Sequence, residues 1–282
     1  MRVRRCRHDK IQEPQISTDT DTQFDHATFE DGAARHWRIG GLDLFVLRAE
    51  GAWYLQSTVR ALEPDERPAV ILGEPVAWVP DNSETEVVRY HGGSARSGGV
   101  LALHPALPDR AVVSRPREPF VLLPGHQALL YVGVPLWVGI HAEDIEVPLA
   151  LLPTVQLPDT WFGPSTMKGE HCYAARTRCR TRIEDLPSLP WRVTVPLRLH
   201  NRARDGWLLE RVALPVDLLP VFRTSGGDFW SSELAVVRSG NGDVGDVTTD
   251  ARAPEGRAAV RVAAARSDSG TSLLGRFYGK LF

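Results

Sequence analysis

Arg176, Arg178, Arg180 and Arg182 recur at every second position at the end of the segment W-F-G-P-S-T-M-K-G-E-H-C-Y-A-A-R-T-R-C-R-T-R, which runs from Trp161 to Arg182. A period of two belongs to a β-strand. The spacing therefore predicts four guanidinium groups on one face, with Thr177, Cys179, Thr181 and Ile183 on the other. Same-face neighbours lie roughly 6.6–7 Å apart along a strand, so the row would cover about 20 Å. A guanidinium grips an oxyanion through a planar fork of N–H donors, and such a row suits phosphates, acidic side chains or anionic headgroups. Glu184 and Asp185 follow directly and offer the plainer alternative of a solvated face neutralised by its own neighbours.

Other chemistry is harder to find. The chain has no G-x-S-x-G elbow, phosphate-binding loop or dinucleotide fingerprint. Its nine histidines are scattered without H-x-H or H-E-x-x-H spacing. Cys172 and Cys179 are too far apart for the Cys-x-x-Cys of a zinc knuckle or redox dithiol. Glu170, His171 and Cys172 could offer ligand atoms, but adjacent strand residues point to opposite faces. The run G-N-G-D-V-G-D-V-T-T-D (240–250) resembles one copy of a calcium-binding repeat that works only by stacking. These observations predict no catalytic residues, no metal site and no cofactor, and favour a binding protein over an enzyme. The alternative is a hydrolase or carbohydrate-binding protein with its site between two β domains. Trp161, Trp191, Trp207 and Trp230 could then stack on sugar rings, a role that competes with core packing.

The elements that must position these residues are short strands. Turn chemistry punctuates the chain at Gly40-Gly41, Pro80-Asp81-Asn82-Ser83, Gly92-Gly93, Gly98-Gly99, Pro108-Asp109 and Pro124-Gly125. Between the turns lie runs such as Leu42 to Leu47 and Val100 to Leu103. The pattern predicts an all-β protein: two β-sandwich-like domains, mostly antiparallel, with few or no helices. A short helix is conceivable over Ala49 to Leu62. The proline-rich stretch V-P-L-A-L-L-P-T-V-Q-L-P excludes both helix and central strand and sets a boundary near residue 150. The expected organisation is a loose arm (1–23), an N-terminal β domain (24–150), a C-terminal β-sandwich domain (151–272) and an apolar tail (273–282). In the second half, Trp191 to Asn201 alternates apolar and polar residues, and Asp205-Gly206 invites a hairpin with Trp207 to Val216. Pro196 requires an edge or a bulge. Ser239 to Glu255 reads as a long exposed loop, and Ala258 to Ala265 as a last strand.

Composition narrows the partners. With 33 basic and 35 acidic side chains the net charge is -2, so no global field draws in nucleic acid. Three cysteines are too few for a disulfide scaffold and favour a reducing, cytoplasmic setting. The basic N-terminus has no apolar run behind it, so export is not expected. Phe120 to Ile140 is long enough to span a bilayer, but its prolines and glycines point to two buried strands around a Pro-Gly turn. The tail L-L-G-R-F-Y-G-K-L-F presents Leu274, Arg276, Phe277, Tyr278 and Phe282 as a docking element for its own chain, a partner or a membrane surface. A homo-oligomer is compatible with such a tail.

Several longer stretches carry a resemblance. They are R-P-R-E-P-F-V-L-L-P-G-H (115–126), V-P-L-W-V-G-I (134–140), W-F-G-P-S-T-M-K-G-E-H-C-Y (161–173) and L-R-L-H-N through W-L-L-E-R-V-A-L-P-V (197–216). Over about residues 115–225 the chain resembles an uncharacterised prokaryotic family known only as a domain of unknown function. That family is best known from archaea and is sometimes encoded near small mechanosensitive channel genes. Phe162-Gly163 stands where such relatives carry Tyr-Gly. The resemblance implies no activity. The expectation of a cytoplasmic accessory protein, peripheral at the inner face of the membrane and meeting a membrane-protein partner such as a mechanosensitive channel, rests on the Arg176 to Arg182 row and the Leu273 to Phe282 tail.

Overall fold

The computed structural model describes residues 26–63, 66–81, 83, 85–91, 99–143, 145, 147–165, 167–240 and 246–267. The expected arm (1–23) and the docking tail from Leu274 to Phe282 lie outside the described residues. Frequent turns leave no length for a helix to nucleate and propagate. Among the described residues the chain forms strands β1 to β22, with 3-10 turns at Ile183–Asp185 and Val216–Leu218 and no α-helix.

One antiparallel sheet runs in the order β5 (Ile71–Pro75), β2 (Ala34–Ile39), β3 (Leu42–Ala49), β4 (Ala52–Val59) and β6 (Val87–His91). The segment that could have been a helix is β4. Glu50 and Gly51 take φ of 51° and 73°, the paired positive values of a two-residue hairpin turn, and send Trp53 and Leu55 into the core. A second sheet runs β1 (His26–Phe29), β7 (Gly99–Ala106), β11 (Trp137–Ala142) and β12 (Ala150–Pro153). Its Phe29, Leu101, Leu103, Val138 and Ile140 share one hydrophobic cluster with Trp37, Leu42, Leu44 and Trp53 of the first sheet. The proline-rich stretch enters only as β12, an edge strand, where missing donors are tolerated.

The largest sheet orders β21 (Asp246–Thr249), β20 (Leu234–Arg238), β15 (Arg192–Asn201), β19 (Phe229–Ser231), β18 (Val221–Thr224) and β22 (Ala259–Ala263), and β10 (Gln127–Pro135) pairs with β15. Two smaller sheets complete this half. One runs β13 (Asp159–Ser165), β14 (Lys168–Ala174), β8 (Val112–Ser114) and β17 (Val212–Leu214); the other pairs β16 (Trp207–Leu209) with β9 (Phe120–Leu122). Val132, Val195, Leu197 and Val236 of the large sheet pack with Val112, Leu122, Trp207 and Leu214 in a second cluster. Each such side chain contributes roughly 1.5–3 kcal/mol by leaving water.

Several expectations are corrected here. Trp191 to Asn201 and Trp207 to Val216 do not form a hairpin: β15 pairs with β10, while β16 pairs with β9. The Asp205-Gly206 turn is held by other partners, because Asn201 Nδ2 donates to the Asp205 carbonyl and Arg238 pairs with the Asp205 carboxylate. The alternation in β15 is observed, with Val193, Val195, Leu197 and Leu199 fully buried. Pro196 lies within this interior strand. Its partner Tyr131 spends both backbone groups on Arg180, so Pro196 faces away from β10, into the gap where β19 gives way to β20. Within the expected loop from Ser239 to Glu255, β21 pairs with β20 and buries Val247. The last strand is present as β22. Phe120 to Ile140 supplies β9 and β10 around the Pro124-Gly125 turn, then the start of β11, and no described helix is long and apolar enough to cross a membrane.

A cut at residue 150 does not separate the two clusters. Leu107, Val112, Leu122, Leu130 and Leu136 belong to the second, while Leu189 and Trp191 return to the first. The chain crosses between them at a buried seam. Thr154 Oγ1 donates to the Leu136 carbonyl at 2.5 Å, Leu136 N–H donates to the Trp191 carbonyl at 2.9 Å, and Gly41 N–H donates to the Thr154 carbonyl at 2.7 Å. Gly40 beside it has φ of 63°, and a Cβ there would stand 2.8 Å from the Thr154 carbonyl oxygen.

Candidate functional site

The arginine segment does not form the expected strand. Residues 176–182 carry only isolated bridges, Pro116 to Cys179 and Tyr131 to Arg180, before the 3-10 turn at Ile183. Two features interrupt the ladder. Ala174 lies opposite Val113 and Cys179 opposite Pro116, so five steps on one side face three on the other, and Pro116 has no N–H to donate. The alternation itself survives through residue 179. Thr177 and Cys179 are buried, whereas Arg176 and Arg178 are exposed. Thr181, expected inward, is exposed.

The four arginines therefore part company. Arg180 folds back onto the carbonyl of Arg178, and Arg182 lies near Glu184 at 3.6 Å in open solvent. Arg176 and Arg178 instead line a cleft of about 220 Å³ together with two arginines from elsewhere, Arg115 and Arg211. The topology explains the meeting. β17 runs antiparallel to β8 with Val212 opposite Ser114, so continuing the register sets Arg211 opposite Arg115. β14 runs parallel to β8 and delivers Arg176 to the same end of the sheet.

Arg211 forms the floor. Its guanidinium crosses the sheet face, lies 5.3 Å from the Phe162 ring centroid and donates from Nη2 to the Trp161 carbonyl at 2.8 Å. Beneath it, Val113, Phe162, Cys172 and Ala213 form a small buried cluster. Burial lowers the Arg211 pKa, and the Arg115 charge beside it lowers it further. Its Nε is buried without a hydrogen-bond partner. No described carboxylate lines the cleft; Glu63, itself highly exposed, touches Arg176 from outside at 3.1 Å. Like charges placed opposite one another repel. An oxyanion between these groups would relieve that repulsion and take up the free donors.

Neither described thiol is poised as a nucleophile. Burial pushes the Cys172 thiol up to about 12, with Glu170 as the next cause, and pushes Cys179 up to about 11. Of the four tryptophans weighed for sugar stacking against core packing, Trp191, Trp207 and Trp230 are 2%, 1% and 5% exposed, and Trp161, at 41%, reaches the surface. Arg115 and Arg211 were not legible as site residues. The one signal for Arg115 is its place in the R-P-R run that precedes β9.

The structure thus defines an all-β protein, mostly antiparallel, with an arginine-lined surface cleft. The chain belongs to the family described as "Protein of unknown function (DUF432)", whose family model matches residues 23–281, well beyond the 115–225 stretch that carried the resemblance. No curated protein and no solved structure matches the chain.

Proposed function

We propose that this chain is a non-enzymatic accessory protein that docks an anionic group of a protein partner in the cleft formed by Arg115, Arg176, Arg178 and Arg211. The observation that carries this reading is the convergence of four guanidinium groups on one cleft with no carboxylate among the described residues of its lining. With a net charge of -2 for the whole chain, the cleft is a local positive site and not part of a general basic surface. Arg180 and Arg182 belong at most to its rim. The resemblance makes an acidic cytoplasmic segment of a membrane channel the partner to test first, and the apolar tail from Leu274 to Phe282 a second contact. This reading places the protein at the inner face of the membrane.

The test is affinity capture from native membranes and cytosol with the full chain and with an R115E/R178E variant. The expected result is a partner that the variant fails to retain. Identical captured sets from both proteins would remove the cleft from the reading.

A further inference from the structure

A second site lies elsewhere, at the start of β15. Arg192 enters a cavity of about 150 Å³ whose apolar walls are Leu186, Leu189, Phe229 and Trp230. The Arg192 Nε is buried and has no hydrogen-bond partner, and no described carboxylate comes within ion-pair distance of this guanidinium. Arg192 is only partly exposed, and a cation partly withdrawn from water without a partner is destabilised. Burial, together with the charge of Arg67, lowers its pKa to about 10. Asp228, the one described carboxylate on the lining, accepts a hydrogen bond from Ser188 Oγ at 2.5 Å at the rim. Pro187, Ser188 and Arg257 are exposed, so the mouth faces water; the Arg257 guanidinium lies 3.8 Å from the Trp230 ring centroid.

We propose that this cavity is a binding site for a small monocarboxylate, whose carboxylate pairs with Arg192 and whose short apolar group rests on Phe229 and Trp230. The cavity shares no lining residue with the arginine cleft, so the two readings stand or fall separately. Size and charge select the class. A cavity of about 150 Å³ admits a benzene-sized group. A phosphate dianion would leave those apolar walls unused and bring a second negative charge toward Asp228, which favours a single carboxylate.

The test titrates butyrate, benzoate and inorganic phosphate into the full chain by calorimetry, with Tm read in parallel. Two variants accompany it: R192Q removes the charge, and L186W fills the cavity while keeping Arg192. Saturable binding of benzoate or butyrate is expected, with Tm rising about 5 °C at a hundred times Kd. Both variants should lose at least tenfold in affinity, and R192Q without ligand should melt no lower than the wild type. The proposal is overturned if neither carboxylate binds the wild type, or if carboxylate binding is unchanged in R192Q. It is also overturned if R192Q melts several degrees lower while carboxylates leave the wild-type Tm unmoved, because Arg192 is then a structural residue.

Discussion

Replacing Arg211 by glutamine isolates the innermost charge of the cleft. Arg211 is half-buried, is held by the Trp161 carbonyl, and presents a buried Nε that has no partner. Hydrogen bonds to charged groups contribute about 1.5–3 kcal/mol, so R211Q should weaken binding of inorganic phosphate by about 10- to 150-fold. Arg115 and Arg178 are exposed, and solvent screening limits each to about 0.2–1 kcal/mol, a loss of roughly 1.5- to 5-fold. Arg182 lies outside the cleft, so R182Q should change nothing. The fold should tolerate R211Q. The variant loses the bond to the Trp161 carbonyl, a longer one to Thr160 Oγ1 and a stack on Phe162, about 1–3 kcal/mol together, partly offset by relief of repulsion from Arg115. Calorimetry at low ionic strength reads the affinities, and a melting curve on each protein confirms folding. If R211Q binds phosphate within twofold of the wild type, or R182Q weakens it as much, the reasoning about the cleft is wrong.

Further predictions concern the scaffold. G40A should destabilise the protein by about 2–4 kcal/mol, read by chemical denaturation, because a Cβ at positive φ meets the Thr154 carbonyl. T154V should cost about 1 kcal/mol, since the Leu136 carbonyl keeps its bond from the Thr154 N–H. Partial burial would raise the Asp43 carboxyl, but hydrogen bonds from Arg38 and His36 outweigh it and hold the pKa below 3.8. That depressed value means the stabilisation is complete above the unfolded pKa and is lost as pH falls through the folded one. Acid unfolding followed below about pH 4 should therefore be shallower in D43N than in the wild type. Cys172 and Cys179, buried with raised pKa, should stay unlabelled when the native protein is treated with iodoacetamide and mapped by peptide mass; rapid labelling of either would contradict their burial.

Local pattern was legible wherever the pattern was also the packing. The turn residues and short apolar runs point to an all-β chain, and the alternation of β15 reads directly as one buried and one wet face. Pairing was not legible, because partners are chosen across long stretches of chain. Asp205-Gly206 has the composition of a hairpin turn, yet Asn201 and Arg238 claim Asp205, and the strands it joins enter different sheets. The candidate site divides the same way. Arg176 and Arg178 show in the two-residue period. Arg115 and Arg211 meet only through the pairing of β8 with β17, almost a hundred residues apart, which no local spacing reports. Arg180 and Arg182 share the period but not the cleft, because mismatch and Pro116 end the strand before they reach it.

The cleft is tested most directly by diffraction from crystals grown with selenate, an oxyanion whose anomalous signal marks its own position. The account predicts a peak within hydrogen-bond reach of Arg211 and at least one of Arg115, Arg176 and Arg178, and its loss in R211Q. Full occupancy unchanged by R211Q, or peaks confined to Arg180 and Arg182, would contradict it.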